Sequence, residues 1–67
     1  MKTYEFAFGH GDLVHGEDGL VVIDGQCNGV WEDGERRKWY CLQWRSSDGV
    51  YQTEWFSETQ VSLPAQR

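Results

Sequence analysis

No stretch of this chain of 67 residues combines helix-favouring residues with the apolar spacing that a long helix needs, and that absence leaves strands to build the fold. The sequence has eight glycines, one proline and two alanines, so no segment is rich in helix-favouring residues. Short runs that alternate between apolar and polar residues occur instead, and Asp-Gly and Asn-Gly pairs that favour tight turns lie between them. We therefore expect an all-β protein.

The clearest strand signals lie in the C-terminal half. Residues 39–44 and 50–56 both alternate and are rich in aromatic side chains, and a Ser-Ser-Asp-Gly turn joins them. This pattern predicts an antiparallel hairpin. The following Ser57-Glu58-Thr59-Gln60 fits a capping box and predicts one short 3₁₀ turn, and residues 61–63 predict a brief edge strand that stops at Pro64.

The N-terminal half is harder to interpret. Residues 3–8 alternate and predict a strand or extended arm, residues 12–15 and 20–24 predict two short strands, and residues 17–19 predict a turn. Three turn signals follow within eleven residues, at Asp24-Gly25, Asn28-Gly29 and Asp33-Gly34, and they predict an irregular segment or a tight hairpin.

The register of the hairpin between Asp24 and Tyr40 stays open. A two-residue turn at Asp33-Gly34 would pair Glu32 with Glu35, which is unfavourable because the two charges are alike. A three-residue loop would pair Glu32 with Arg36 and Cys27 with Cys41, but it moves the glycine away from the loop position where a positive φ is usual.

The length allows one domain with a small core. We expect a strand or arm in residues 1–10, a β-barrel in residues 11–63 and a tail in residues 64–67. A core of this size rarely supplies more than a few kcal/mol, so we expect self-association to add stability. The predicted core consists of Val14, Val22, Tyr40, Leu42, Trp44, Phe56 and Val61.

Charge is unevenly distributed along this acidic chain. The formal net charge is −5, and eight acids but no lysine or arginine lie between Thr3 and Glu35. The three bases at residues 36–38 come next, and we expect them to form a hairpin arm that pairs with neighbouring acids. Nucleic-acid affinity comes mainly from clustered bases that displace counterions, so we do not expect a nucleic-acid partner.

The apolar runs and the cysteines indicate the expected location of the protein in the cell. The longest apolar run, residues 20–23, is too short to cross a bilayer, and no export signal precedes it, so we expect a cytoplasmic protein without a membrane partner. In a reducing cytoplasm, Cys27 and Cys41 are expected to be free, half-buried thiols.

Candidate catalytic and metal-binding residues are few. Cys27, Cys41, His10 and His15 are the plausible components of a nucleophilic or zinc site, but no local motif unites them. We expect no catalytic residues, no metal site and no cofactor, which favours a role other than catalysis.

Several segments follow one another in an order that resembles a known family. They are Gly11-Asp12-Leu13-Val14, the aromatic strand that ends at Trp44, the Ser-Asp-Gly turn, and Glu-Trp-Phe-Ser-Glu-Thr-Gln-Val at residues 54–61. Over roughly residues 11–63 the chain resembles the YodC-like family of short bacterial proteins. The resemblance implies a small SH3-like barrel of about five short antiparallel strands, with a 3₁₀ turn before the last strand, in a bacterium or phage. It implies no chemistry.

A second resemblance is architectural. The plasmid-encoded type II dihydrofolate reductases also begin with Gly-Asp-x-Val and build one active-site pore from four identical barrels. Their binding motif is Val-Gln-Ile-Tyr, whereas the corresponding segment here is Thr53-Glu54-Trp55-Phe56. A carboxylate in place of the glutamine would repel an anionic cofactor and folate, which argues against this activity.

The aromatic residues form the candidate binding site. The chain has ten aromatic rings, more than a small barrel can enclose, and we expect Trp39, Tyr51 and Trp55 to share an outer face. Trp31 is the fourth candidate binding residue, as a neighbour of this face. Either this face contacts a partner, or the arm from Tyr4 to Phe8 covers it as a lid. The leading hypothesis is a non-catalytic module with an acidic rim that binds itself or a protein, preferably a basic one. The alternatives are a subunit of an oligomeric enzyme and an acidic decoy of a DNA-binding protein.

Overall fold

A computed structural model describes residues 6–64, which form one antiparallel sheet of five strands. The strands are β1 (Leu13–Glu17), β2 (Val22–Glu32), β3 (Lys38–Arg45), β4 (Tyr51–Ser57) and β5 (Val61–Ser62), with a 3₁₀ turn, η1 (Glu58–Gln60), before β5. The predicted all-β class, strand number and 3₁₀ turn are confirmed. The sheet order is β4-β3-β2-β1-β5, so the sheet stays open between β4 and β5 and does not close into a barrel. Within residues 6–64, no helix is long and apolar enough to cross a membrane.

The hairpin of β3 and β4 has the predicted faces. Cys41 pairs with Trp55 and Trp39 pairs with Ser57, so these side chains share the outer face of the sheet. Tyr40 pairs with Phe56 and faces the interior. After β4, the Ser57 amide donates a hydrogen bond of 3.0 Å to Gln60 Oε1, as the capping box predicts.

The segment from residue 24 to residue 32 belongs to one strand, and the predicted irregularity takes the form of a β-bulge within it rather than of turns at Asp24-Gly25 and Asn28-Gly29. Glu32 pairs with Lys38, and neither proposed register is observed, because the turn is a five-residue loop over residues 33–37. Asp33 Oδ1 accepts hydrogen bonds of 2.9 Å from the amides of Glu35 and Arg37, which organises this longer loop. The positive φ falls on Arg36, at 65°, rather than on the glycine.

A β-bulge at Asn28 divides β2 between the two faces of the sheet. Cys27 pairs with Leu42, whereas Gly29 pairs with Cys41, so the register shifts by one residue between them. Side chains alternate along a strand, and the extra residue therefore reverses which face each later residue occupies. Cys27 enters the core, and Trp31 lies on the outer face, where it pairs with Trp39.

The core is small and lies on the inner face of the sheet. Among residues 6–64, its five buried hydrophobic residues are Val14, Cys27, Tyr40, Leu42 and Phe56. Four of them were predicted, but Val22 is 61% exposed, because alternation turns its neighbours Val21 and Ile23 towards the core. Trp44 is half-buried, and Val61 packs against the core from its edge.

The described part of the N-terminal arm packs against the core. Phe6 and Phe8 make edge-to-face contacts with Tyr40, with ring centroids 6.1 Å and 5.7 Å away. The Ala7 amide donates a hydrogen bond of 2.9 Å to the Tyr40 hydroxyl, and that hydroxyl donates to Glu58 Oε2 at 3.4 Å. Phe6 and Phe8 therefore do not cover the outer face, while Tyr4 lies outside the described residues.

Candidate functional site

Three tryptophans from three strands meet on the outer face of the sheet. Trp31 of β2, Trp39 of β3 and Trp55 of β4 line an open pocket of about 250 Å³, which we name the tryptophan pocket. The Trp31 and Trp55 rings meet above β3, with centroids 6.4 Å apart and planes inclined by 68°. The structure therefore brings three of the four predicted binding residues together.

Gly29 lies on the outer face of the sheet, next to the Trp55 ring. It lies on β2 opposite Cys41, and a Cβ placed there would be 3.9 Å from the six-membered ring of Trp55. The Trp55 ring therefore extends from β4 as far as β2, the strand that carries Trp31. Trp31 remains 55% exposed and Trp55 48% exposed, so both rings present large apolar surfaces to solvent.

Asp33 holds the third ring in place. Its side chain is 12% exposed, and Oδ2 accepts hydrogen bonds of 3.1 Å from the Trp39 indole nitrogen and from Arg37 Nε. The backbone N–H of Arg37, and then the Trp39 and Glu35 N–H groups and the Arg37 guanidinium, lower the pKa of Asp33 from 3.8 to about 2, against the opposing effect of burial. The loop that connects β2 and β3 thus positions a pocket residue.

The acid titration of the loop is expected to report this interaction. Because the pKa of Asp33 is lower in the folded state, the carboxylate stabilises the fold above about pH 4, and this contribution is lost as the pH falls towards 2. The indole proton of Trp39, followed by NMR, is expected to shift with an apparent pKa of about 2.

An Asp33→Asn variant provides the control for this titration. Its Trp39 indole proton is expected to show no such transition, while the indole proton of Trp44 should behave alike in both proteins. A transition near the ordinary aspartate value of about 3.9 in the wild type would contradict the assignment.

Tyr51, the fourth predicted binding residue, lies away from the pocket. It pairs with Arg45 at the other end of the hairpin, and the Arg45 guanidinium carbon lies 5.8 Å from the Tyr51 ring centroid. Gln43 and Thr53 form the pair between this contact and Trp55. Tyr51 therefore shares the face but not the site.

A second, more polar groove borders the pocket and shares Trp39 with it. This groove, of about 450 Å³, is lined by residues 36–39 and 57–59. Arg37 is neutralised by Asp33 at 3.1 Å and Glu35 at 3.1 Å, whereas Arg36 and Lys38 make no ion pair within residues 6–64. The predicted pairing of these bases with neighbouring acids is thus observed for Arg37.

Several of the acids predicted to rim the aromatic face lie on the β1 side of the sheet, whereas Asp33 contacts Trp39 and Glu35 contacts Arg37. Asp24 Oδ1 lies 2.8 Å from His15 Nδ1 on the β1 side of the sheet, and Glu17 also contacts that histidine. Glu54 interacts with Asp18, and its neighbour Trp55 is the residue that faces the pocket. The outer-face pairs around Trp55 carry aromatic, thiol, hydroxyl and amide groups.

The residues considered for nucleophilic catalysis are spread over the fold. Cys27 and Cys41 are free thiols, one in the core and one half-buried on the outer face, and burial raises the pKa of both. A hydrogen bond to Asp24 raises the pKa of His15, whose ring lies on β1. Among the described residues, no group of three potential metal ligands is present.

Sequence reasoning missed two residues that shape the pocket. Asp33 was interpreted only as a turn residue, and the position of its carboxylate below Trp39 depends on a loop length that the turn signal misjudged. Gly29 was also assigned to a turn. Its real signal was its spacing, because it lies two residues before Trp31 and therefore on the same face of the strand.

The fold and site together define a small open β-sheet protein with an aromatic pocket on its outer face. Comparison with protein-family models, with curated proteins and with solved structures found no match. The YodC-like resemblance therefore remains a prediction.

Proposed function

We propose that this protein is a non-catalytic binding or assembly module that uses the tryptophan pocket as its contact surface. The observation that carries the proposal is the exposure of Trp31 and Trp55 beside each other above a pocket lined by indole rings. Covering the exposed half of one such ring removes about 100 Å² of apolar surface from water, worth about 2–3 kcal/mol. Clustered, exposed tryptophans are typical of contact surfaces.

The arm supports this proposal over the lid alternative. Phe6 and Phe8 are used on the inner side of the sheet, against Tyr40, so this segment does not fill the tryptophan pocket. The proposed contact surface is the aromatic face expected from the sequence. Of the acidic rim it includes Asp33, whose carboxylate accepts the Trp39 N–H.

Two observations weigh against the alternatives. The reductase alternative needs residue 54 at the ligand, but Glu54 pairs with Leu42, is half-buried and faces away from the tryptophan pocket. The decoy alternative needs carboxylates in exposed rows, whereas Asp24 binds His15 and Asp33 binds Arg37. A protein partner or a second copy therefore suits the surface best, and the net charge of −5 opposes a polyanionic partner. We also propose a cytoplasmic setting, which two free thiols support.

Sedimentation of the wild type and of Trp31→Ala and Trp55→Ala variants tests the proposal. Each substitution is expected to shift the monomer–oligomer equilibrium, or to abolish binding of a partner that the wild type binds, by about tenfold or more. The matched control is Leu20→Ala, which removes a 96% exposed apolar side chain outside the pocket and should change neither.

A monomeric wild type with the same bound partners as both tryptophan variants would refute the proposal. Circular dichroism and urea unfolding of each variant show that the fold is intact, because both rings are about half exposed and their loss should cost little stability.

A further inference from the structure

We infer that the tryptophan pocket binds a quaternary ammonium group, presented as a trimethylated lysine within a basic segment of a partner protein. The inference rests on the proposed function and adds the chemistry of the ligand. The pocket, of about 250 Å³, is smaller than the range of about 300–1,000 Å³ that accommodates drug-sized ligands. It therefore suits one side chain.

The arrangement of the rings favours a cation. Trp31 and Trp55 meet edge to face with planes inclined by 68°, and Trp39 completes the lining, so indole rings alone line the pocket. The face of an indole ring carries partial negative charge and attracts a cation within about 6 Å of its centroid, more strongly than the faces of tyrosine or phenylalanine do. The same face of the sheet already contains such a contact, between Arg45 and Tyr51.

The lining also favours an alkylated cation over a simple ammonium. The indole rings offer no hydrogen-bond acceptor, and the Trp39 N–H, the polar atom of that ring, is bound to Asp33. An unmodified lysine ammonium has three N–H donors that would lose their water partners in this pocket. A trimethylated ammonium has none, so its desolvation costs less and its methyl groups pack against the rings.

Nearby charges leave the pocket compatible with a cation. Asp33 accepts the Trp39 N–H and places a carboxylate at the edge of that ring, while Asp33 and Glu35 neutralise Arg37. Arg36 and Lys38 line the groove that borders Trp39 and oppose a bound cation, whereas Glu58 in the same groove favours one. The net charge of −5 attracts a basic segment around a methylated lysine, and it opposes approach to an anionic membrane surface.

A pair of probes that differ only in charge tests the inference. Choline and its neutral isostere 3,3-dimethylbutan-1-ol are titrated into the full chain, and the indole N–H signals are followed by NMR. Choline is expected to bind at least about fivefold more tightly than the isostere. Trp31→Ala and Trp55→Ala should abolish choline binding, and Tyr51→Ala, on the same face outside the pocket, should leave it unchanged.

Two charge variants strengthen the test because they act in opposite directions. Glu35→Gln, which leaves Arg37 less neutralised, is expected to weaken choline binding about twofold and Lys38→Gln to tighten it about twofold, with the affinity of the isostere unchanged in both. The unchanged isostere shows that the pocket is still folded.

The source of the ammonium group is tested with a basic peptide in two forms, one with trimethyl-lysine and one with unmodified lysine. The methylated peptide should bind more tightly than the unmodified one, and phosphatidylcholine vesicles should not bind. Stronger binding to the vesicles would overturn the assignment to a protein.

The remaining outcomes separate this inference from the proposed function. Equal binding of choline and the isostere would overturn the cationic ligand and leave an apolar contact surface. No binding of either probe, with oligomers that the tryptophan substitutions disrupt, would overturn the ligand and keep the assembly role. No binding and no effect of the substitutions on assembly would refute both.

Discussion

A Phe56→Ala variant is expected to lose about 3–5 kcal/mol of unfolding free energy, the largest effect of any single truncation considered for this protein. Phe56 is 0% exposed and belongs to a core of five buried residues, so the cavity it leaves cannot be filled from elsewhere. A core of this size rarely supplies more than about 3–5 kcal/mol in total. The variant should therefore be largely unfolded at 25 °C by circular dichroism.

The adjacent residue gives the control for Phe56. Trp55 has a larger ring, but it is 48% exposed on the opposite face of the same strand, and Trp55→Ala should cost less than about 1.5 kcal/mol in urea unfolding. Phe56→Leu, which leaves a smaller cavity, should retain a measurable transition that is shifted to lower urea concentration. A Phe56→Ala protein within about 1 kcal/mol of the wild type would contradict the assigned core.

A Gly25→Ala variant is expected to lose about 1–3 kcal/mol, because the added methyl group has no room. The new Cβ would lie 2.9 Å from the backbone carbonyl oxygen of Gln43 and 3.0 Å from Ile23 Cδ1. The isoleucine side chain can rotate away, but the carbonyl belongs to the neighbouring strand. The shift in the urea midpoint measures the effect.

Gly29→Ala is the matched control in the same strand. Its added Cβ would meet Trp55 at 3.9 Å and Cys41 at 4.0 Å, both ordinary contact distances. Glycine weakens a strand, so this variant should be as stable as the wild type or slightly more stable. Equal losses from the two substitutions would show that the close carbonyl at Gly25 does not govern its stability.

These two glycines also show why half of the fold was predictable and the other half was not. The hairpin of residues 39–56 follows from alternation alone, because its two strands and its turn agree locally. In β2, Gly25 and Gly29 both resemble turn residues in sequence, yet both lie inside the strand, and Gly25 is required there because the backbone of β3 comes close. That requirement arises from the tertiary structure, so the dipeptide Asp24-Gly25 alone cannot indicate it.

The candidate site was partly predictable for the same reason. Alternation placed Trp39, Tyr51 and Trp55 on one face correctly, but a shared face does not imply contact, and Tyr51 lies too far along the hairpin. The role of Asp33 depends on a loop length set by several hydrogen bonds of its own side chain. No local sequence pattern indicates these hydrogen bonds, so the contact between Asp33 and Trp39 could not be predicted.

The bulge at Asn28 changes which residues of β2 face the core and which face outwards. Up to Cys27 the odd-numbered residues of β2 face the interior, and from Gly29 onwards the odd-numbered residues face outwards. One inserted residue thus lets a single continuous strand contribute Cys27 to the core and Trp31 to the tryptophan pocket.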